Sequence, residues 1–437
     1  MVDGGQEAGA ELTSEVALMN MHGVSLGADS MVTLGRLAGG EVTQPTSQKI
    51  TVINAQAPIA AMTNNYAAFA GVRWNLVLER FGVHCGSAPL AFEDYGEQLA
   101  AFLADFDTLS GLAGYEDHEV DGFYDYIESF TLIYARRVFQ LARHLEAHIG
   151  EGLARAALGQ LRDEILLLPA AESGDDADDD AGPVAREQIE PTQRLIAFVE
   201  AHLPAALERA LALAFRNSAI PEAIVPELEE LAVQSILVDW LPRRASRTQL
   251  ILAGFGAGAL TPSLLAMNIA GAFAGRLKYA ITDRVDASAD RQVFIKTFAQ
   301  AQLGNAILHG ARPDFESIAL QESRDELLDL VYRALSRTRL SERTANALAQ
   351  DILMGSRTAL ERGMERAKAA HAEHAYKQFG PLLRTADAAA LARFAHRFVE
   401  VTVLEAELLR NDGVGRPIRV VTLTRDGIRT DIDGEKA

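Results

Sequence analysis

The chain has 437 residues, with 60 acidic and 41 basic side chains, which gives a formal net charge of −19 at pH 7. This charge excludes non-specific binding to nucleic acid and disfavours an anionic membrane surface, because both need a basic footprint. The hydrophobic content of 49% excludes global disorder, and the single cysteine, Cys85, excludes an internal disulfide framework and a cysteine-based zinc site. No basic stretch followed by an apolar run opens the chain, so a cytoplasmic location is expected.

The first predicted elements are short strands. Glu15–Asn20 and Val24–Ala28 flank a turn at His22-Gly23, a pattern typical of a hairpin. A glycine-rich loop then leads to strands at Lys49–Asn54 and Pro58–Thr63. Four short strands with tight connections predict an antiparallel sheet.

After Tyr66 the apolar residues take the spacing of amphipathic helices, and the span from about residue 86 to 245 is predicted to be mostly helical. Residues 172–183, ESGDDADDDAGP, interrupt this span with an acidic segment. Its aspartate spacing imitates a calcium loop but lacks the Gly-then-Glu pattern of the EF-hand. A solvated linker between helices is the favoured interpretation.

Strands are predicted again at Gln249–Gly254, Ser263–Ile269 and Phe273–Thr282. The stretch between Arg247 and Arg276 contains no charged residue and is long enough to span a bilayer. However, its five glycines and its two apolar bursts separated by turn residues favour buried strands over a membrane segment.

The last third of the chain is predicted to be helical until its final strands. A helix is predicted for Arg291–His309, a helical insert for Phe315–Gln378 and a long helix for Asp387–Arg410. Two alternating strands then surround a turn at Asp426-Gly427. Helices collected between blocks of antiparallel strands predict an α+β fold in which helical layers sandwich the sheets.

The strongest candidate site consists of Thr13, Asp29 and Lys49, at the ends of the predicted front strands. A threonine at the amino terminus offers a hydroxyl nucleophile and an α-amine that can take its proton. A lysine nearby lowers the pKa of both groups, and a carboxylate holds that lysine charged and oriented. Because the start of one hairpin strand lies beside the end of its partner, the three residues can meet at one sheet edge. The alternative is that Asp29 caps a turn and Lys49 is a solvated strand end.

The segment TSEVALMNMHGVSLGADSMVTLG, followed by QKITVIN and PIAAMT, resembles the opening of proteasome β-type subunits, which are N-terminal-nucleophile (Ntn) hydrolases. In that family a threonine opens the first strand, an acidic residue follows sixteen positions later, and a lysine opens the third strand. Thr13 and Asp29 are sixteen positions apart, and Lys49 opens KITVI. The segments QLILAGFGAGALTPSLLAMNIAGAF and GRPIRVVTLTRDG are similar to the family's central hairpin and last strand pair. The chain looks most like uncharacterised bacterial members.

The resemblance implies a four-layer αββα sandwich with large helical insertions. In this scheme residues 1–12 are an N-terminal extension, residues 13–85, 247–312 and 385–437 form the core in three parts, and residues 86–246 and 313–384 are helical insertions.

The resemblance also implies threonine-type hydrolysis of peptide or amide bonds. Thr13 would be the nucleophile, Lys49 would tune it, and Asp29 would orient Lys49. A backbone N–H of Asn65, or of Asn64, would serve the oxyanion hole, where asparagine tolerates the positive φ that the family's glycine adopts. The family needs no cofactor or metal. The expected partners are a peptide or small amide substrate and further copies of the chain in a homo-oligomer, with no nucleic acid and no membrane.

The largest departure from the family is the position of Thr13, because an internal threonine has no free amine and twelve residues precede it. Residues 1–12 could be a propeptide removed by self-cleavage. Alternatively, the codon read as Leu12 initiates translation, and removal of the initiator methionine exposes Thr13. This second explanation is favoured because residues 1–12 show no structural pattern. The third is an inactive scaffold, in which apolar residues such as Phe123, Tyr124 and Tyr126 would be partner contacts, although core packing is the commoner fate of such residues.

Three other motifs are weaker candidates. His371 and His374 lie three apart on a charged helix, and a metal would need ligands that the pattern lacks, so a solvated face is favoured. The glycines of Gly254–Gly258 precede a predicted strand rather than a helix, which argues against a dinucleotide loop. His84 and Cys85 are adjacent, and adjacent residues rarely form a nucleophile and its base, so a packed free cysteine is favoured.

Overall fold

A computed structural model describes residues 14–37, 40–44, 48–105, 115–144, 148–167, 185–216, 218, 220–242, 248–288, 292–298, 306, separate positions between 318 and 334, 342–409 and 414–432. The strands are β1 (Glu15–Asn20), β2 (Gly23–Asp29), β3 (Val32–Leu37), β4 (Gly40–Gln44), β5 (Ile50–Asn54), β6 (Ile59–Asn65), β7 (Ala68–Phe69), β8 (Val72–Arg73), β9 (Thr248–Gly254), β10 (Ser263–Phe273), β11 (Arg276–Asp286), β12 (Val293–Phe298), β13 (Ile418–Thr424) and β14 (Gly427–Ile432). The helices are α1 (Trp74–Cys85), α2 (Phe92–Ala104), α3 (Tyr115–His144), α4 (Glu151–Leu166), α5 (Gln193–Ala214), α6 (Val225–Leu237), α7 (Glu342–Arg384) and α8 (Ala388–Leu409). Helices and antiparallel sheets together confirm the α+β class.

The first of two compact units comprises residues 1–50, 258–262 and 286–437. Its five-stranded antiparallel sheet has the order β12-β1-β2-β13-β14, and α8 packs on β1, β2 and β13. A Cβ at Gly27 would lie 3.3 Å from the Cβ of Ala395, so the glycine lets α8 approach β2 closely. The Asn20 side chain donates to the carbonyls of Leu383 and Ala386, which ties the end of α7 to the sheet.

The second unit comprises residues 51–257 and 263–285. Its five-stranded sheet has the order β11-β10-β9-β6-β5, and an apolar core lies between this sheet and helices α1 and α2. A second core lies among α3, α4, α5 and α6. It includes Phe123, whose ring centre is 5.3 Å from that of Phe273 in β10.

The four front strands do not form one sheet, contrary to the prediction. The β1–β2 hairpin belongs to the first sheet, whereas β5 and β6 belong to the second. Local hairpin signals are satisfied in both cases, but the long-range partners differ, since β2 pairs with β13 and β6 pairs with β9. The predicted glycine-rich loop contains a two-stranded ribbon of its own, β3–β4. Sheet membership therefore depends on distant segments.

Two helix predictions are corrected. Val293–Phe298, inside the predicted helix Arg291–His309, is strand β12 and pairs antiparallel with β1. Its sequence VFIKTF is rich in β-branched and aromatic residues, which suit a ladder edge. The helix expected directly after Tyr66 begins only at Trp74, because the short β7–β8 hairpin precedes it, with Ala70 and Gly71 at positive φ.

Other expectations agree with the structure. The predicted helix Asp387–Arg410 is present as α8, and the Asp387 carboxylate accepts the N–H of Ala390 as an N-cap. The final hairpin turns at Asp426, as predicted. The acidic segment 172–183 lies outside the described residues. The boundaries of the three-part core remain predictions.

The uncharged stretch between Arg247 and Arg276 forms β9 and β10, as predicted. In the part of the chain that the structure describes, no helix is both long and apolar enough to cross a membrane. Phe123 and Tyr126 are fully buried, so they are core residues and not the partner contacts that the scaffold hypothesis assigns to them.

Lys278, in β11, is a buried cation at the end of α6. Its Nζ donates to the carbonyl oxygens of Ser235 and Val238 at 2.8 and 2.6 Å, acceptors that the helix end leaves without intrahelical partners. Burial is the main cause that lowers the pKa of Lys278 from 10.5 to about 7, and the charge of Arg276 adds to it.

The lowered pKa of Lys278 predicts that the contribution of this residue to the free energy of unfolding rises from neutral to alkaline pH. The folded-state pKa, about 7, lies below the ordinary value of 10.5, so the unfolded chain binds more protons between these values. The free energy of unfolding should therefore increase as pH rises through this window. Relative to Lys278→Met, in which all other titrations cancel, the wild type should gain roughly 1–4 kcal/mol in urea denaturation. A difference that is constant with pH would contradict this prediction.

Candidate active site

The start of β1 and the end of β2 lie side by side. The Ser14 N–H donates to the Asp29 carboxylate at 3.0 Å, and the Asp29 N–H donates to the Ser14 carbonyl at 3.1 Å. Thr13 itself lies outside the described residues. It is bonded to Ser14, however, so the peptide group that joins Thr13 to the chain is the one that contacts Asp29.

Lys49 and Asp29 form a buried ion pair. The Lys49 Nζ lies 2.6 Å from Asp29 Oδ1, and the two residues are 7% and 1% exposed. Burial alone would lower the pKa of Lys49, but the charges of Asp29 and Glu15 and their hydrogen bonds outweigh it, so the pKa is raised. Lys49 is therefore an ammonium at neutral pH and not a proton acceptor. The alternative of a solvated Lys49 at a strand end is wrong.

The Asp29 carboxylate is held by backbone donors from three segments. Besides Ser14, the N–H groups of Met31 and Gly415 donate to its second oxygen at 3.1 and 3.3 Å. These hydrogen bonds fix the orientation of the carboxylate toward Lys49, since the donors come from the residue before β1, from the loop after β2 and from the loop before β13.

Glu15 also belongs to the site, although the sequence motifs did not identify it. Its side chain is completely buried, and its Oε1 lies 3.2 Å from the Lys49 Nζ. Residues two apart on a strand share a face, so the spacing between Thr13 and Glu15 could have indicated that Glu15 belongs to the site. A second signal was a carboxylate directly before the four apolar residues of VALM in the same strand. The site thus holds one ammonium between two carboxylates.

Replacing Glu15 with glutamine should move the alkaline unfolding of the protein to lower pH. Because Glu15 helps to raise the pKa of Lys49, its stabilising contribution is complete below the unfolded pKa and is lost as pH rises through the folded one. In Glu15→Gln the folded pKa falls, so that loss begins earlier. We also expect about 1–3 kcal/mol of destabilisation at neutral pH. Urea denaturation from about pH 7 to pH 11 measures both effects.

The matched control is Glu373→Gln, which removes a carboxylate from an exposed i,i+4 pair with Lys377. Such exposed pairs contribute little, so no measurable change in the free energy of unfolding and no shift in the alkaline transition are expected. If Glu15→Gln behaves like this control, Glu15 does not support the charge of Lys49.

Asn65 has the backbone conformation expected of an oxyanion donor. It ends β6 with φ of 69°, in the left-handed region, and pairs with Thr248 in β9. Asn64 is buried instead, and its side-chain amide donates to Gln249. Positive φ therefore distinguishes Asn65 from Asn64. A cavity of about 220 Å³, lined by Tyr66, Thr248 and residues of α3, begins directly after Asn65.

The weaker candidates acquire no catalytic geometry. Burial raises the pKa of the Cys85 thiol to about 11, which opposes a thiolate nucleophile, and the His84 ring packs near Phe102. The rings of His371 and His374 lie 6.4 Å apart. Among the described residues there is no group of three or more His, Cys, Asp and Glu side chains that could hold a metal ion.

The glycines after β9 have a packing role. A Cβ at Gly254 would lie 1.9 Å from the carbonyl oxygen of Pro58, and its φ of 142° disfavours other residues. The next regular element is strand β10 and not a helix, so no phosphate-binding helix end is present here.

Comparison with known proteins leaves the family open. A scan against protein-family models finds no match to this chain, and a search of curated proteins finds no significant relative. The assignment of a function therefore depends on the motifs and contacts described above.

Proposed function

We propose that the chain is an Ntn-type threonine hydrolase that cleaves peptide or amide bonds, with Thr13 as its N-terminal nucleophile. The observation that carries the proposal is the buried Lys49–Asp29 pair at 2.6 Å, whose carboxylate also binds the N–H of Ser14, the residue next to Thr13. A strand end with only a structural role would not be expected to bury a lysine ammonium, because burying a charge is costly unless the charge is paired.

The charge state of Lys49 indicates which group accepts the proton of the Thr13 hydroxyl. Since its pKa is raised, Lys49 stays protonated, and the α-amine of Thr13 is left as the base that takes the hydroxyl proton. The Thr13 Oγ then attacks the carbonyl carbon and forms a tetrahedral oxyanion, for which the resemblance implies the backbone N–H of Asn65 as the donor. The protonated amine donates to the leaving nitrogen. Water, deprotonated by the same amine, hydrolyses the ester and restores Thr13.

The rest of the proposal concerns the fold and the surroundings of the enzyme. The αββα sandwich of the Ntn type is proposed from the resemblance, and each unit by itself has a five-stranded antiparallel sheet that packs against helices, α8 in the first unit and α1 and α2 in the second. By the same resemblance we propose a homo-oligomer, and the sequence composition leads us to propose a cytoplasmic location.

The decisive experiment compares the full chain with a chain that begins at Thr13. We expect N-terminal sequencing and intact mass of the native protein to show Thr13 as the first residue. A peptide epoxyketone, which reacts with both the hydroxyl and the α-amine of an N-terminal threonine, should label only that form. Native protein that keeps residues 1–12 and resists labelling would refute the hydrolase and support the inactive scaffold.

A further inference from the structure

A cavity of about 420 Å³ lies in the second unit, and the candidate active-site residues do not line it. Its walls come from β11, from the ends of α2 and α6 and from the start of α5. Small-molecule sites in proteins have volumes of about 300–1,000 Å³ and are mostly apolar with a few polar groups. This cavity has that composition, with an apolar wall that includes Ala104, Leu195 and Leu277.

Two cations of β11 line this cavity. Arg276 and Lys278 are two residues apart on the strand, so they share a face. Burial lowers the pKa of Arg276, and each residue is disfavoured as a cation by its surroundings. The acidic residues Glu190 and Asp239 line the same cavity, and no ion pair between either of them and Arg276 is found among the described residues.

Arg276 and Lys278 differ in the hydrogen-bond donors that they can offer to a ligand. The ammonium of Lys278 is engaged by the carbonyls at the end of α6, so it contributes charge rather than a free donor. The guanidinium of Arg276 has five N–H donors in a fork that matches a carboxylate. Lys278 carries its charge only in part at neutral pH, because its pKa is about 7. When it is protonated it repels Arg276, and a bound anion offsets both that repulsion and the loss of water.

We propose that this cavity binds a small organic carboxylate with an apolar body, its carboxylate on the Arg276 guanidinium and its hydrocarbon against the apolar wall. The inference concerns the second unit alone and does not depend on hydrolase activity.

The test uses the full chain and a fluorescent amphipathic anion, anilinonaphthalene sulfonate, as the reporter. Octanoate, octanol and octylamine, which share one alkyl chain, then compete for it. Octanoate should displace the probe from one site per chain at least about tenfold more tightly than octanol, because a charge-assisted hydrogen bond is lost in the alcohol. Octylamine should compete no better than octanol.

Variants locate the site. Arg276→Gln should weaken octanoate by roughly tenfold to a hundredfold and leave octanol unchanged. Ala104→Leu, which fills part of the cavity, should weaken octanoate and octanol alike. Arg425→Gln, at an exposed turn of the other unit, is the matched control and should change neither. Equal competition by octanoate and octanol, tighter competition by octylamine, or unchanged octanoate binding in a folded Arg276→Gln would overturn the proposal.

Discussion

Replacing Thr13 with alanine, in a chain that begins at residue 13, is expected to lower the rate of hydrolysis by at least about a thousandfold. The substitution removes the hydroxyl that forms the acyl-enzyme, and it leaves the α-amine in place. Covalent labelling by the epoxyketone should disappear, whereas the urea midpoint should change little. The measurement is turnover of a fluorogenic peptide-amide library together with intact mass after labelling.

Two controls make the Thr13 experiment specific. Thr13→Ser keeps a hydroxyl and should retain part of the activity and the labelling. Ser14→Ala keeps the backbone N–H that donates to Asp29, so it should retain turnover within about tenfold. Hydrolysis or labelling that survives in Thr13→Ala would show that another residue is the nucleophile, or that the activity belongs to a contaminant.

Replacing Lys49 with methionine should have the largest effect on stability. It removes the ammonium that lies 2.6 Å from Asp29 and 3.2 Å from Glu15, and both carboxylates are fully buried. Removing one partner of a buried ion pair destabilises by about 3–5 kcal/mol, because the other charge remains in a low dielectric. Urea denaturation at neutral pH measures the loss in free energy of unfolding.

The matched control for Lys49 is Lys377→Met, since Lys377 pairs with Glu373 on an exposed helix face. No measurable change in the free energy of unfolding is expected there. Lys49→Arg keeps the charge in an altered geometry, and we expect it to recover stability more fully than turnover. A Lys49→Met protein as stable as the Lys377→Met control would mean that the buried cluster does not depend on its ammonium.

Much of the local structure followed from sequence patterns. The turn predicted at His22-Gly23 and the strand-like segments on either side of it predict β1 and β2, because hairpin partners are neighbours in the chain, and the structure has the turn one residue earlier, at Met21 and His22. The apolar stripe from Leu391 to Val403 predicts α8, since its period is that of a helix face. The sixteen-residue spacing selected Asp29, and the start of the third motif selected Lys49.

Other features could not be predicted from local patterns. VFIKTF became a strand because β1 offers it a ladder edge from almost three hundred residues away in the sequence. Glu15 was overlooked because a single carboxylate in a strand has no motif, and its importance lies in the distance to Lys49. No sequence pattern singled out Lys278 or Arg276 either, and their pKa values are lowered mainly because the side chains are buried.

The sequence by itself thus determined the α+β class, the hairpins, the long helices and the pairing of one acidic with one basic residue near Thr13. These depend on interactions between neighbours or on motifs with defined spacing. The tertiary structure alone decided which strands share a sheet, that two carboxylates hold Lys49, and that Asn65 has positive φ. The physical reason is that burial, and the electrostatic strength that burial confers, arise only when distant segments pack together.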